Sequence, residues 1–425
     1  MRVAVVGSGI SGMSAAYYLS KKYDVTLFEA SDRLGGHTAT KHIEHGGKIT
    51  PIDTGFIVFN DWTYPGFIKL LNELGVESQP TEMSFSVSDN VSGIEYAGTN
   101  LNTLYGRRRN FLSLSHHKML KEIVFFNKQV ENHLVRLNLA KNEMTLGEYL
   151  DKFSYSESFK NLYIVPMGSS IWSSKQSDML KMPLHFFVKF FRNHGLLNLK
   201  DRPQWRVIKG GSSSYIEPLI APYKDSIRLN TPVYEVDRNI TGSYVSLKTK
   251  DGTETFDHVV FACHSNQALN CLKDANSREV EILTAIPYSN NEVVLHTDDS
   301  VLPKTKRCWS SWNVALGTKN EIPRLSYNMN ILQGIESEFT YCVTLNDTNA
   351  IDPEKILGVY QYEHPIFTTK GVEAQNRWSE INGKNNTWFC GAYWRNGFHE
   401  DGVWSARRVY EKIGLNSSKS ILSAA

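Results

Sequence analysis

The sequence predicts an α/β chain in which a doubly wound half built on a parallel sheet is interleaved with an α+β half. Three observations carry that expectation. Residues 2–22 read as strand, glycine turn and helix, the chain runs to 425 residues, and segments of the same doubly wound type return near residues 205 and 386. A chain of this length is expected to divide into two domains. No low-complexity linker separates the returns, so the domains interleave: 1–75, 203–285 and 376–425 form the doubly wound domain, and 76–202 with 286–375 form the other.

The opening is the most specific stretch. Arg2–Val6 is a short β-branched run, the composition of a buried parallel strand. Gly7, Gly9 and Gly12 follow at G-x-G-x-x-G spacing, and Ile10–Lys22 continues as a helix that turns Ala15, Ala16 and Leu19 toward the sheet. The first glycine permits a tight turn, the second lets backbone approach a pyrophosphate, and the third allows close packing of helix on strand. The first turn of the helix, with Ser11 in it, offers unpaired N–H groups to phosphate. Val25–Phe28 reads as the second strand, and Glu29 closes it 22 residues after Gly7, where a carboxylate accepts hydrogen bonds from an adenosine ribose. An accidental glycine turn is the weaker reading of this combination.

Composition narrows the classes. With 41% hydrophobic and 21% charged residues the chain is an ordinary globular one. Its net charge of +2 gives no electrostatic footprint for nucleic acid. The five cysteines are scattered, with no CxxC and no His-paired metal spacing, which predicts no metal site and a reduced, cytoplasmic setting. No apolar run reaches the roughly 18 residues that span a bilayer. The N-terminal apolar stretch is cut by three glycines and lacks a basic lead-in, so it reads as structure and not as a signal peptide. Aromatic residues make up 12% of the chain, which fits a flat or apolar ligand and an aromatic core equally.

The next segment separates NAD from FAD. Asp32-Arg33-Leu34-Gly35-Gly36-His37 resembles the R-x-G-G-R segment of large FAD enzymes of the amine oxidase class, in which the glycine pair brings a second stretch of backbone against the cofactor. His37 stands where that pattern closes with arginine, replacing a permanent charge near the pyrophosphate by a titratable one. "IDTGFIVFN" (52–60) resembles the D-x-G segment of the same class, and the resemblance implies that Thr54, Gly55 and Phe56 run beside the flavin ring system. For Phe59 and Asn60 an ordinary strand end remains open.

Residues 61–200 read mostly as helices. The basic triplet Arg107–Arg109 opens one of them and reads as a solvated charge run on a core helix. "FFVKFFRNHGLLNLK" (186–200) interleaves four phenylalanines with Lys189 and Arg192. It fits a helix at a membrane surface and equally the buried wall of a substrate tunnel. "WRVIKGGSSSYIEPL" (205–219) resembles the stretch that returns the chain to the FAD domain. "IRLNTPVYEVDRN" (227–239) reads as a strand, and the resemblance puts the backbone of Val233 against the adenine. An Asp-Gly hairpin and an apolar strand, Val259–Ala262, follow. "NEVVLHTDD" (291–299) then reads as a strand of the second domain.

At the far end Trp388–Cys390 reads as a strand ended by Gly391, and Gly402–Lys412 reads as a helix preceded by Glu400 and Asp401. FAD enzymes of the amine oxidase class end this way. The resemblance implies that Gly391 meets the ribityl-phosphate, and that the helix start at Asp401, Gly402 and Val403 faces the flavin's pyrimidine carbonyl. The doubly wound domain is thus expected to be a Rossmann-like FAD-binding domain and the other an α+β substrate domain, as in amine oxidases and glutathione-reductase-like proteins. The amine oxidases that tether flavin use a cysteine upstream of the final strand. No Cys lies between Cys342 and Cys390 here, so FAD is expected to be non-covalent.

"LYGRRRN", "NNEVVLHTDDSVLP", "CWSSWN" and "CGAYWRNGFHEDGVWSA" together resemble one bacterial branch of the flavin amine oxidase superfamily along essentially the whole chain. That branch tends to accompany cyclopropane-synthase-like methyltransferases, and some members resemble desaturases of methylated fatty acyl chains in furan fatty acid formation. The resemblance therefore implies an FAD-dependent desaturase of a lipid acyl chain, with hydride passing to flavin N5, and a methyltransferase in the same pathway. Peripheral contact at the inner face of the membrane is expected from residues 186–200 together with the basic Arg107–Arg109. An amine oxidase and a flavin-binding protein without redox function are the alternatives. Many amine oxidases place a lysine before the strand that enters the substrate domain. Here Tyr288–His296 offers Asn291 or Glu292 and no lysine, and no paired-tyrosine cage is evident. His399 lies two residues before Asp401 on the side that the resemblance turns toward the substrate, which makes it the candidate base. Packing or capping of the following helix explains it equally. Tyr393 and Trp394 are the expected walls of the substrate pocket.

Overall fold

The computed structural model describes residues 1–45, 47–136, 144–172, 175–198, 200–238, 244–317 and 323–423, with side chains to residue 415. Leu199, Asn239 and residues 424–425 of the segments read above lie outside the described residues.

Five short strands, β1 (Arg2–Val6), β2 (Asp24–Phe28), β3 (Ile227–Arg228), β4 (His258–Phe261) and β5 (Thr387–Phe389), form a parallel sheet in the order β3-β2-β1-β4-β5. Val3, Ala4 and Val5 are fully buried, as are Val259, Val260 and Phe261 beside them, the two-sided burial that makes parallel strands continuously apolar. Four helices position the site: α1 (Ile10–Ser20), α2 (Pro65–Leu74), α3 (Leu184–Asn193) and α4 (His399–Ser423). A Cβ on Gly402 would stand 2.8 Å from Ile10 Cγ2, so α1 and α4 meet as closely as a glycine allows. A three-stranded antiparallel sheet (Glu235–Asp237, Val245–Thr249, Gly252–Phe256) adds Val236, Leu247 and Phe256 to the same core.

Two boundaries differ from expectation. "IRLNTPVYEVDRN" is two strands in different sheets, because Asn230 takes a left-handed φ of 49° and Pro232 follows with no N–H for a ladder. The last helix begins at His399 and not at Gly402. Glu400 and Asp401 thus sit inside its first turn, where the helix dipole favours carboxylates.

The other half is a seven-stranded mixed sheet in the spatial order Ile356–Pro365, Tyr288–His296, Cys342–Leu345, Arg324–Asn328, Trp312–Leu316, Phe85–Asp89 and Glu95–Ala97. Helices from 114 to 193 cover it and share a core in which Phe186, Phe187, Phe190 and Phe191 of α3 are all buried. The reading of this segment as a membrane-surface helix is therefore corrected. Its phenylalanines lie on the face turned into the core, while Lys189 and Arg192 stay exposed on the other, so α3 leaves no phenylalanine face for lipid. A small sheet of Val58–Asn60, Trp205–Ile208 and Ser78–Thr81 lies where the chain crosses between the halves. No helix among the described residues is long and apolar enough to cross a membrane.

Candidate cofactor and active site

The three opening glycines each do a separate job. Gly7 has φ +102° and donates its N–H to the Phe28 carbonyl (2.8 Å), turning the chain off β1 against Ala262. A Cβ on Gly12 would run into the Gly7 carbonyl. Gly9 caps α1 with no side chain on the helix end, and a Cβ there would meet nothing within 4 Å. The first turn of α1, with the buried Ser11 in it, is thus an N-terminus with no side-chain cap and with open space at Gly9, the arrangement that receives a phosphate.

Glu29 ends β2 with its carboxylate fixed by four donors: Ser8 N (2.9 Å), Ser8 Oγ (2.5 Å), Ser31 N (2.8 Å) and Ser31 Oγ (2.9 Å). Its own carbonyl accepts from Thr231 N (2.8 Å), which brings the Val233 segment alongside. The Val233 carbonyl accepts from Cys271 Sγ (3.2 Å). Gly35 bridges to Gly9, its N–H bonding Ser8 O (3.1 Å), and a Cβ on Gly36 would lie 3.2 Å from Gly9 Cα. The two glycine strings therefore lie side by side. Arg33 secures the second by donating to the Gly36 (2.7 Å) and Thr38 (3.1 Å) carbonyls.

His37 enters a cluster that the sequence did not reveal. Its ring centroid is 5.2 Å from both Tyr362 and His364 and 6.2 Å from His264. Its Nε2 is buried without a partner among the described residues. Burial, and then the neighbouring histidines His364, His264 and His399, hold its pKa well below the usual imidazole range. Asn291 Nδ2 donates to His364 Nδ1 (2.9 Å), so that imidazole is neutral, and burial lowers its pKa to about 4. His264 Nδ1 lies 2.9 Å from Glu363 at the more exposed edge of the cluster. Of the two residues offered at the lysine position, Asn291 is the one turned inward. Glu292 points the other way, as the strand alternation requires, and bonds Thr348.

The D-x-G turn lies against this cluster. Asp53 accepts from Thr40 Oγ1 (2.6 Å), Ser212 N (2.8 Å) and Ser212 Oγ (2.8 Å), yet burial still raises its pKa to about 6. Thr54 Oγ1 meets the Tyr362 hydroxyl (3.1 Å), and a Cβ on Gly55 would strike the His37 carbonyl, which accepts from Phe56 N (2.7 Å). Phe56 stacks on His399 with centroids 3.5 Å apart.

His399 is consequently enclosed. Its Nε2 meets Thr38 Oγ1 (3.0 Å) and the Tyr215 hydroxyl (3.2 Å), Phe67 presents an edge to the ring, and burial lowers its pKa to about 3. The expectation of an open, near-neutral histidine gives way to a packed, neutral one. The helix start also differs from expectation. Asp401 turns back to accept from Asn396 N (3.2 Å) and Phe398 N (3.0 Å), and burial raises its pKa to about 6. The N–H groups of Asp401 and Gly402 both donate to the Phe398 carbonyl, and Val403 is core. The donors that this helix end leaves for a ligand are those of His399 and Glu400. The Glu400 side chain meanwhile caps α2 through Gly66 N (3.1 Å) and Phe67 N (2.8 Å).

Gly391 follows β5 and donates to Ser405 Oγ (3.1 Å). Tyr393 and Trp394, expected as pocket walls, are packed into the core of the parallel-sheet half, with the Tyr393 hydroxyl and Trp394 Nε1 buried and unpartnered among the described residues. A cavity of about 280 Å³ opens beside the start of α4, lined by Trp62, Tyr64, His194, Arg395, Phe398 and Asp401 among others. No group of three His, Cys, Asp or Glu among the described residues is placed to hold a metal ion. The uncapped α1, the space at Gly9, the fixed Glu29 and the orphaned His37 Nε2 fit a dinucleotide laid along the carboxyl edge of the parallel sheet.

The family described as flavin containing amine oxidoreductase matches residues 10–325. The curated flavin-containing amine oxidase A of Canis lupus familiaris is 22% identical over 298 residues, 69% of this chain and 53% of that protein. The chain spans about half the length of the curated relatives it matches. Among solved structures, cyclohexylamine oxidase from Brevibacterium oxydans superposes with a TM-score of 0.66 at 17% identity, covering 97% of this chain and 99% of that one. A fatty acid isomerase from P. acnes that produces CLA gives 0.66 at 13% identity, with 97% and 98% covered.

Proposed function

The chain belongs to the flavin containing amine oxidoreductase family, and we propose that this FAD-dependent oxidoreductase removes hydrogen from a carbon–carbon bond of an apolar, acyl-type substrate. Asn291 carries the reading. The position that the resemblance gives to an amine-oxidase lysine holds a buried amide tied to His364 (2.9 Å) and to Asn346 (2.8 Å). Around it His37, His364 and His399 are all driven neutral by burial. An amide among three neutral imidazoles suits an uncharged chain, and the phenylalanine-rich interior next to α3 is of matching polarity.

FAD supplies the two-electron acceptor for the hydrogen removed. The chain's own part is to hold that cofactor and to take the proton. Gly7, Gly9, Ser11, Gly12, Glu29, Gly35, Gly36, His37 and Val233 form the holding surface for the nucleotide, with Thr54, Gly55, Phe56 and Gly391 toward the flavin. His399 starts unprotonated with Thr38 and Tyr215 at its Nε2. A pKa held to about 3 by burial makes it a weak base, so its assignment as proton acceptor rests on its place against Phe56 of the D-x-G turn and not on its basicity. The division into an FAD-binding domain (1–75, 203–285, 376–425) and a substrate domain (76–202, 286–375) belongs to the same proposal. A methyl branch on the substrate would come from a separate methyltransferase reaction.

Amine oxidation is the second reading, favoured by the carboxylates of Glu400 and Asp401 beside Trp62, Tyr64 and Phe398 in the 280 Å³ cavity. The fold does not choose, because it is shared by proteins named for amines and for a fatty acid. Anaerobic mixing decides. Methyl-branched phospholipid is expected to bleach the bound flavin, and rapid bleaching by simple amines with none by lipid would replace the acyl reading with the amine one.

A further inference from the structure

We propose that the surface around Arg107–Leu114 docks on an anionic lipid bilayer. This goes beyond the catalytic reading and stands or fails without it. Within this short stretch Phe111 is 52%, Leu112 87% and Leu114 86% exposed, and the adjoining Leu101 and Val91 are 75% and 84% exposed. The short helix Arg108–Leu112 and the start of the helix Leu114–Arg136 thrust these side chains outward. Phe111 stacks on Tyr105 at 4.0 Å, which fixes the tip while Leu112 and Leu114 stay uncovered.

The patch is continuous. Arg108 donates to Asn102 Oδ1 (2.6 Å) and to the Tyr105 carbonyl, Arg109 donates to Ser92 O (2.9 Å), and Arg107 donates to Gly93 O. These bonds tie the Leu101 helix and the Val91 turn to the arginines. All are to neutral oxygens, so none of the three guanidinium charges is cancelled by a carboxylate among the described residues. Exposed Lys118 and Lys121 continue down the following helix, and Arg307 abuts Gly106. The neighbouring acids are occupied: Glu95 is buried and accepts from Lys304 N and Thr305 N, and Asp89 accepts from Val91 N and Ser92 N.

Protruding leucines and a phenylalanine inside a ring of uncancelled positive charge match a bilayer. The apolar tips enter the boundary between headgroups and chains, while arginine and lysine meet anionic lipid. The tips stand exposed to as much as 87%, and charge complementarity points to phosphate headgroups. The buried phenylalanines of α3 take no part.

The test is flotation of the FAD-loaded full chain with vesicles of mixed phosphatidylglycerol and phosphatidylcholine, compared with phosphatidylcholine alone. Binding is expected to the anionic vesicles and to weaken with salt. Leu112→Asp with Leu114→Asp, and separately Arg108→Glu with Arg109→Glu, should each lower partitioning at least about tenfold. Flavin absorbance should not change in either pair, and the melting temperature should hold in the leucine pair, whose tips lie outside the core. No binding to anionic vesicles, or binding indifferent to both variants, overturns the proposal. So does a concentration-dependent dimer broken by Leu112→Asp in the absence of lipid binding, which would give the surface to a second copy.

Discussion

One ring, His399, stands between two roles, and its surroundings allow them to be separated. The stack on Phe56, the bonds to Thr38 and Tyr215 and a pKa held to about 3 describe a packed residue and a weak base, while its unprotonated Nε2 beside the D-x-G turn is what a proton acceptor requires. His399→Gln keeps a polar group toward the two hydroxyls but takes no proton. If His399 is the acceptor, reduction of the flavin by substrate should slow by about 10²–10⁴-fold with FAD content unchanged. A loss below about tenfold in rapid-mixing kinetics assigns the ring to packing. Gly9 gives the complementary experiment. A Cβ there meets no protein atom within 4 Å, so Gly9→Val should fold with an unaltered circular dichroism spectrum yet lose flavin absorbance per chain. At this scale the sequence was legible where backbone dictates residue type. Gly7 and Gly12 could be read because no other residue fits a left-handed turn or so close a helix–strand contact, and Gly9 because the motif's spacing marks it as the open cradle between them. His264 and His364 could not. His364 meets His37 from the strand Ile356–Pro365 through its antiparallel pairing with Tyr288–His296, and His264 from the turn after β4, stacked on Tyr288 at 4.4 Å, an arrangement set by the whole fold and by no local spacing.

Among the elements, α3 shows how an identical composition supports two physical readings. Four phenylalanines interleaved with Lys189 and Arg192 suit a bilayer surface, and they suit a helix laid on a core equally well. Tertiary packing decides the matter, because Phe190 meets Trp172 at 4.7 Å, Phe186 stacks on Phe367 at 5.2 Å and Phe190 on Phe398 at 5.4 Å, the last joining the helical layer to the α4 start. Phe191→Ala, at a fully buried position, should therefore cost about 3–5 kcal/mol, read as a lower urea midpoint with no change in vesicle binding. Strands and helices beside the glycine motifs were legible to within two or three residues. The split of 227–239 into two strands hinges on Pro232 and the left-handed Asn230, and at the early start of α4 Asp401 reaches back to Phe398 N while Glu400 caps α2 from 334 residues away. The Glu400 contact leaves no local signature.

For the whole molecule, cofactor attachment and acid sensitivity follow from what is buried. Cys390 is buried and Cys342 lies in the other half's sheet, so neither is available as a tether, and acid precipitation should release the yellow colour into the supernatant. Several histidines are held neutral far below their ordinary value of 6.5: His194, His296 and His364 to about 4, and His399 to about 3, all chiefly by burial. In the unfolded chain each takes a proton near 6.5, whereas in the folded chain each resists until about 4 or below. Between those values the unfolded state binds more protons, and stability falls as pH falls through the window. Asp53 and Asp401 act in the opposite sense. Their carboxyls are raised from 3.8 to about 6, so the stability they add is present at low pH and lost as pH climbs to about 6. Four imidazoles with shifts of at least equal size outweigh two carboxyls. The urea midpoint should accordingly rise from about pH 4.5 to about pH 7. His296 locates the effect: its Nδ1 accepts from Asp298 N (3.1 Å) while Nε2 faces Thr344 Oγ1 (2.7 Å), so protonation breaks the first bond inside the sheet. His194 and His296 both lie away from the glycine cradle, and His194→Gln with His296→Gln should flatten the rise without altering FAD content. An unchanged slope in that double variant would move the acid sensitivity to His364 and His399 at the site itself.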